Sequence, residues 1–222
     1  MPELDSGLHL DMYRRWKRRR NLPIGLLNAV GFPRGKSDSY GLGWGDPEVW
    51  PPLRYVRDHL VRPYVSPDST VVEIGPGGGR WTRYLLDAKT IYAVDYHQEL
   101  LDELKTNVQS ANIIFVKNGG DDFPGVPPAS VDFVFSFGTF VHLDVGIIDR
   151  YLRNIKPLLK PEANVVLHYS DKSRFLARLN RSFSDNDSTR MTDLVRSHGY
   201  DVYERDIKIL GNSALVRFGP QK

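Results

Sequence analysis

The sequence predicts an α/β protein: a doubly wound, mostly parallel seven-stranded sheet with an antiparallel C-terminal hairpin and an N-terminal helical and loop extension. Three observations carry this. From Ser66 onward, short apolar runs rich in β-branched residues alternate with helix-length amphipathic segments, as in parallel strands covered on both faces. The tail, "YDVYERDIKIL", Gly211-Asn212 and "SALVRF", is two strands around a tight turn. With 222 residues, 41% of them hydrophobic and 26% charged, the chain has room for one such domain, placed at 46–222, and an extension at 1–45.

The elements follow in order. Leu8, Met12 and Trp16 recur at i, i+4, i+8, which predicts a short amphipathic helix. Overlapping it, Arg14 to Arg20 holds six cations in a chain whose net charge is +3, so the basicity is a local patch. That patch is either a solvated helix face or a contact for an anionic partner such as RNA or lipid. Residues Gly31 to Gly45 are glycine-rich yet carry Phe32, Tyr40 and Trp44, which predicts a loop packed over something. Asp46 and Pro47 read as an N-cap and first helical position, with Leu53, Val56 and Leu60 at helical spacing before Pro63. Strands are predicted at 70–74, 91–95, 113–116, 131–136 and 164–169, with helices at 79–88, 98–108, 144–156 and 188–198. No apolar run approaches the ~20 residues of a membrane span. The absence of cysteine excludes disulfides, thiolate metal sites and cysteine nucleophiles, and a cytoplasmic setting is the expectation.

The stretch "TVVEIGPGGGRW", Thr70 to Trp81, follows an apolar run with an acid and four glycines. In an open parallel sheet the first strand-to-helix turn must bring bare backbone against a ligand. A P-loop would end in Gly-Lys-Ser/Thr, whereas these glycines run into Arg80-Trp81; "GFPRGKS" at Gly31 to Ser37 has Gly-Lys-Ser but one residue too few and no strand before it. A dinucleotide fingerprint fails because its third glycine would fall at Arg80. What remains is acid-x-Gly-x-Gly-x-Gly, Glu73, Gly75, Gly77 and Gly79, with Asp95 ending "TIYAVD" twenty residues after Gly75.

This ordered set resembles the class I S-adenosylmethionine-dependent methyltransferases over about residues 46 to 219. The resemblance implies that Gly75 and Gly77 lie along the methionine portion of the cofactor and that Asp95, with Tyr96 beside it, accepts the ribose hydroxyls; Glu73 steadies the turn. In "NGGDDFPGVPPASVDFVFS" it implies an adenine contact from Asp121 or Asp122, with Phe123 beside the ring, and it adds Ser136 at the end of the fourth strand. The loop "SFGTFVHLD", Ser136 to Asp144, then carries His142 where the family's small-molecule enzymes place a histidine. His142 is either the general base for a hydroxyl acceptor or a cap on the next helix. His168 and Tyr169, ending the fifth strand, and Tyr40 and Trp44, in the loop before the first, are assigned to the acceptor. Asp144 and Asp171 leave Mg²⁺ open.

The acceptor expected on these grounds is a small hydroxylated molecule, a saccharide first. "SFGT" differs from the Asn-Pro-Pro-Tyr type of pattern of DNA amino-group methyltransferases, so DNA is not the expected partner. RNA, or a lipid tethered through the basic patch, and a non-catalytic cofactor-binding module are the competing readings.

Overall fold

A computed structural model describes residues 40–42, 45–207 and 210–221 of the chain. The expected N-terminal helix, the basic run, the Gly-Lys-Ser stretch and Trp44 lie outside the described residues. The core is a seven-stranded sheet: β1 (Thr70–Ile74), β2 (Thr90–Asp95), β3 (Ile113–Lys117), β4 (Val131–Ser136), β5 (Leu159–Ser170), β6 (Tyr200–Ile207) and β7 (Ser213–Pro220). Their order across the sheet is β3-β2-β1-β4-β5-β7-β6. β1 to β5 pair in parallel, and β7 runs antiparallel between β5 and β6. The doubly wound sheet with its antiparallel C-terminal hairpin is the fold class the sequence predicts.

Alternation along the strands divides the core. On one face Val72, Ile74, Val134, Val165 and Leu167 meet Ile148, Leu152 and Ile155 of α3 (Val145–Ile155) and Met191 and Val195 of α5 (Ser188–Ser197). On the other, Val71, Phe133, Phe135 and Val166 meet Leu53 of α1 (Pro51–Tyr55), Leu60, Trp81 and Leu85. The odd and even positions of "VVEI" thus belong to different layers, and a one-residue slip of β1 would exchange them. Each fully buried Leu or Phe contributes about 1.5–3 kcal/mol. Two further α-helices are α2 (Gln98–Asn107) and the short α4 (Phe175–Leu179).

Two expectations are corrected. The first helix begins at Pro51 and not at Asp46: Asp46 closes a turn, accepting from Glu48 N–H on its side chain (2.9 Å) and from Trp50 N–H on its carbonyl (2.8 Å). Pro51 and Pro52 have no N–H to continue a ladder across that turn, and Trp50 before them is extended, φ −85°, ψ 115°. Beyond Tyr55 the helix widens into a π-helical stretch, Val56–Val61. Residues 79–88 form no α-helix. Tyr84, Leu85 and Ala88 donate to Trp81, Thr82 and Leu85, the i to i−3 pattern of successive tight turns with one 3₁₀ turn at Thr82–Tyr84. Trp81, Leu85 and Ala88 still bury, as the inner side of a helix would. β5 is longer than predicted because a bulge against β4 between Val131 and Phe133 lets pairing restart at Leu159.

Candidate functional site

The sheet order reverses between β1 and β4, so a crevice opens beyond their carboxyl ends. The glycine turn fills one side of it. Gly75, at φ +69°, donates its N–H to the Val94 carbonyl of β2 (2.8 Å), and a Cβ there would stand 1.9 Å from Thr139 Oγ1. The loop leaving β4 therefore lies directly on the turn. At Gly77, φ +55°, a Cβ would meet nothing within 4 Å, so bare backbone faces open space. Gly79, φ +98°, is closed in by Val108 and Leu104 of the α2 region, with Tyr40 at its edge.

The acids at the strand ends are buried. Glu73 is 2% exposed and accepts from the Thr82 hydroxyl (2.6 Å); burial drives its carboxyl up to about 7 against the lowering effect of that bond and of Arg80. It is spent on the turn, tying Thr82 to β1. Asp95 is 7% exposed and accepts from the N–H of His97 (2.9 Å) and of Tyr96. Burial raises its carboxyl from 3.8 to about 7 in spite of both donors. Such a carboxyl is short of hydrogen-bond donors, and a vicinal diol supplies two. The ring of Tyr96, half-buried, lies under Lys117 Nζ (5.3 Å).

After β3 the carboxylates diverge. Asp121 pairs with Arg150 and also accepts from Asn154 on α3, while the exposed Asp122 turns back to the N–H of Gly119. Phe123 is buried edge-on to Tyr151 (5.9 Å). Asn118, first residue beyond β3 and 2% exposed, knits this loop together by donating to the Asp122 carbonyl and Tyr151 Oη. Its only signal in the sequence is its place directly after the third strand.

The loop beyond β4 carries two histidine environments. Ser136 is fully buried and donates to the Ile74 carbonyl (2.8 Å), joining β4 to β1. Gly138 N–H donates to His168 Nδ1 (3.1 Å), which puts the His168 proton on Nε2, and Nε2 donates to Ser213 Oγ (2.7 Å) on β7. The ring stacks on Phe137 (4.0 Å, 14°), and burial lowers its pKa to about 3. His168 is thus a neutral tie between β4, β5 and β7, with both nitrogens engaged in the fold. Tyr169 is fully buried on the opposite, α5-side face. Neither presents the surface that an acceptor contact requires. His142 is half-buried; its Nδ1 lies 2.8 Å from the Ser182 carbonyl and its ring is edge-on to Phe183 (5.5 Å). A carbonyl only accepts, so the proton is on Nδ1 and Nε2 is the basic nitrogen. Sequence reasoning placed Ser182 to Ser188 at the lip of the acceptor site but missed the bond from His142 to Ser182, and it missed Thr82 and Thr139, which act through fold contacts that no local motif announces.

Tyr40 is half-buried beneath the Arg83 guanidinium (5.6 Å) beside Gly79. Asp171 is fully buried and accepts from Ser173 and Arg174, whereas Asp144 is exposed before α3. No group of three or more potential metal ligands occurs among the described residues. Nor is any helix among them long and apolar enough to cross a membrane.

A parallel sheet with an antiparallel seventh strand, a glycine turn at the switch point and a buried acid ending β2 make up the fold of the class I S-adenosylmethionine-dependent methyltransferases. Comparison with known proteins agrees. Residues 71–162 match the family described as "Methyltransferase domain". Among solved structures the chain is similar to an S-adenosylmethionine-dependent methyltransferase from Aquifex aeolicus (19% identity, TM-score 0.61, 82% of this chain and 98% of that one). It is similar to another from Mesorhizobium loti (14%, 0.61, 77% and 98%) and to a Haloferax volcanii methyltransferase solved with a methyltransferase activator (16%, 0.67, 83% and 93%). No curated protein matches the chain in sequence.

Proposed function

We propose that the protein is a cytoplasmic O-methyltransferase that moves the methyl group of S-adenosylmethionine to a hydroxyl of a small molecule, first a sugar or glycan, with His142 as general base. The observation that carries this is the Ser182 carbonyl against His142 Nδ1, which leaves Nε2 as the proton acceptor on the loop beside the glycine turn. S-adenosylmethionine supplies a methyl on a positively charged sulfur. The chain's own residues hold and deprotonate. Asp95 accepts the ribose hydroxyls, the backbone of Gly75 and Gly77 lies along the methionine portion, and His142 Nε2 takes the acceptor's proton as its oxygen attacks. The Ser182 carbonyl then stabilises the imidazolium. In-line displacement needs little beyond positioning, but an aliphatic hydroxyl needs the base as well. Aromatic Tyr40, with Trp44 in the same stretch of sequence, suits the face of a saccharide.

Methyl transfer to a panel of hydroxylated acceptors tests the assignment. His142→Ala should lower kcat by ~10²-fold or more and remove the acidic limb of the pH profile. Its dissociation constant for S-adenosylhomocysteine should stay within about twofold of the parent's, since the base contacts the acceptor's proton and not the cofactor. Near-normal turnover retires His142 as the base; acceptance of amines alone retires O-methylation.

A further inference from the structure

The helix α4 turns its apolar side chains outward. Phe175, Leu176 and Leu179 are 66%, 56% and 63% exposed, while Ala177 between them is buried. This aim is built in. At one end Arg174 pairs with the buried Asp171 carboxylate (2.9 Å) and donates to the Leu210 carbonyl. At the other, Lys172 Nζ donates to the carbonyls of Ala177 (2.9 Å) and Asn180 (2.8 Å). A turn clamped at both ends cannot roll its apolar side inward. The other exposed large apolar residues among the described ones, Val49, Tyr55 and Ile114, are scattered over other elements.

A contiguous exposed apolar patch marks a contact surface. Its neighbours set the sign of the partner. Arg178 and Arg181 are exposed, and among the described residues neither is engaged by a carboxylate. An anionic lipid surface offers apolar depth and negative charge at one spot. RNA offers the charge without the aliphatic depth, and three side chains fall far short of the ~800 Å² per partner of a stable protein interface. The six cations of Arg14 to Arg20 add to the attraction of acidic lipids for the whole chain. We propose that α4 seats the protein on an anionic membrane surface, with Phe175, Leu176 and Leu179 entering the headgroup layer and Arg178 and Arg181 meeting lipid phosphates. The chain runs from α4 to Ser182, whose carbonyl holds His142, so the contact borders the candidate site. The inference is independent of which acceptor is methylated.

Cosedimentation of the full chain with phosphatidylcholine vesicles, with and without phosphatidylglycerol, tests it. Binding should require phosphatidylglycerol and weaken with salt. Arg178→Glu with Arg181→Glu should lower vesicle affinity by at least ~25-fold, about fivefold for each cation. Phe175→Ser with Leu176→Ser and Leu179→Ser should lower it by ~10-fold or more. Retained affinity for S-adenosylhomocysteine will verify that each variant is folded. Four results overturn the proposal: no vesicle binding, equal binding to pure phosphatidylcholine, α4 variants that bind like the parent while neutralising Arg14 to Arg20 abolishes binding, and a parent dimer that the Phe175 variant converts to monomer. The last would make a second copy the occupant.

Discussion

Asp95→Asn should stabilise the ligand-free protein and weaken its hold on the cofactor. The asparagine oxygen can still accept from the His97 N–H, so the turn after β2 keeps its shape. What disappears is a buried charge. Burial holds this carboxyl at about 7 in the folded chain against an ordinary 3.8, a difference worth about 4 kcal/mol against the charged form. For a carboxyl raised on folding, the folded state binds the extra proton between those two values, so stability is greatest below 3.8 and is lost as pH rises to about 7. The gain from asparagine should therefore be up to about 4 kcal/mol at pH 8 and less than half of that at pH 5. Urea unfolding at both pH values reads it. Calorimetric titration of S-adenosylhomocysteine at pH 8 should show a loss of ~1.5–3 kcal/mol, the scale of hydrogen bonds to a charged group. A gain that does not change with pH refutes the electrostatic argument, and an unchanged dissociation constant refutes the ribose assignment.

Two further predictions concern the glycine turn and the histidine behind it. Gly75→Ala places a methyl against Thr139 Oγ1 at φ +69° and should cost ~2–4 kcal/mol in urea unfolding, whereas Gly77→Ala has open space, should cost only ~1 kcal/mol, and should weaken S-adenosylhomocysteine binding. Equal stability losses would mean that the Gly77 space is not real. His168→Phe keeps the stack on Phe137 but strands Gly138 N–H and removes the donor to Ser213 Oγ, for a loss of ~2 kcal/mol at pH 7. A histidine lowered to about 3 contributes stability above 6.5 that is lost as pH falls, so the deficit of the variant should shrink by about 2 kcal/mol between pH 7 and pH 5. A constant deficit would show that the ring is not held neutral.

The strands and the glycine turn were legible because one physical cause wrote both. Buried parallel strands demand β-branched runs such as "TVVEI" and "TIYAVD", and the ligand's backbone approach demands glycine at once after the first. The segment 79–88 misled because burial of Trp81, Leu85 and Ala88 is compatible with successive 3₁₀-type turns as well as with an α-helix, and spacing reports burial and not hydrogen bonding. The acceptor side was less legible. His168 and His142 are both polar residues on one side of a crevice in the sequence, and only contacts from Ser213 and Ser182, 45 and 40 residues away, separate a tie from a candidate base. Long-range partners leave no local pattern.

The placement of β7 has a kinetic consequence. It joins the sheet between β5 and β6, both made before it, so it must insert into a gap that its neighbours cannot close alone. β1, β2 and their glycine turn form from contacts close in sequence and are expected to collapse early, while the Ser213 partner of His168 arrives with the hairpin. The wall that steadies Gly138 and the loop bearing His142 is therefore the late-folding part of the molecule, and an emerging chain should order the glycine turn before it orders that loop.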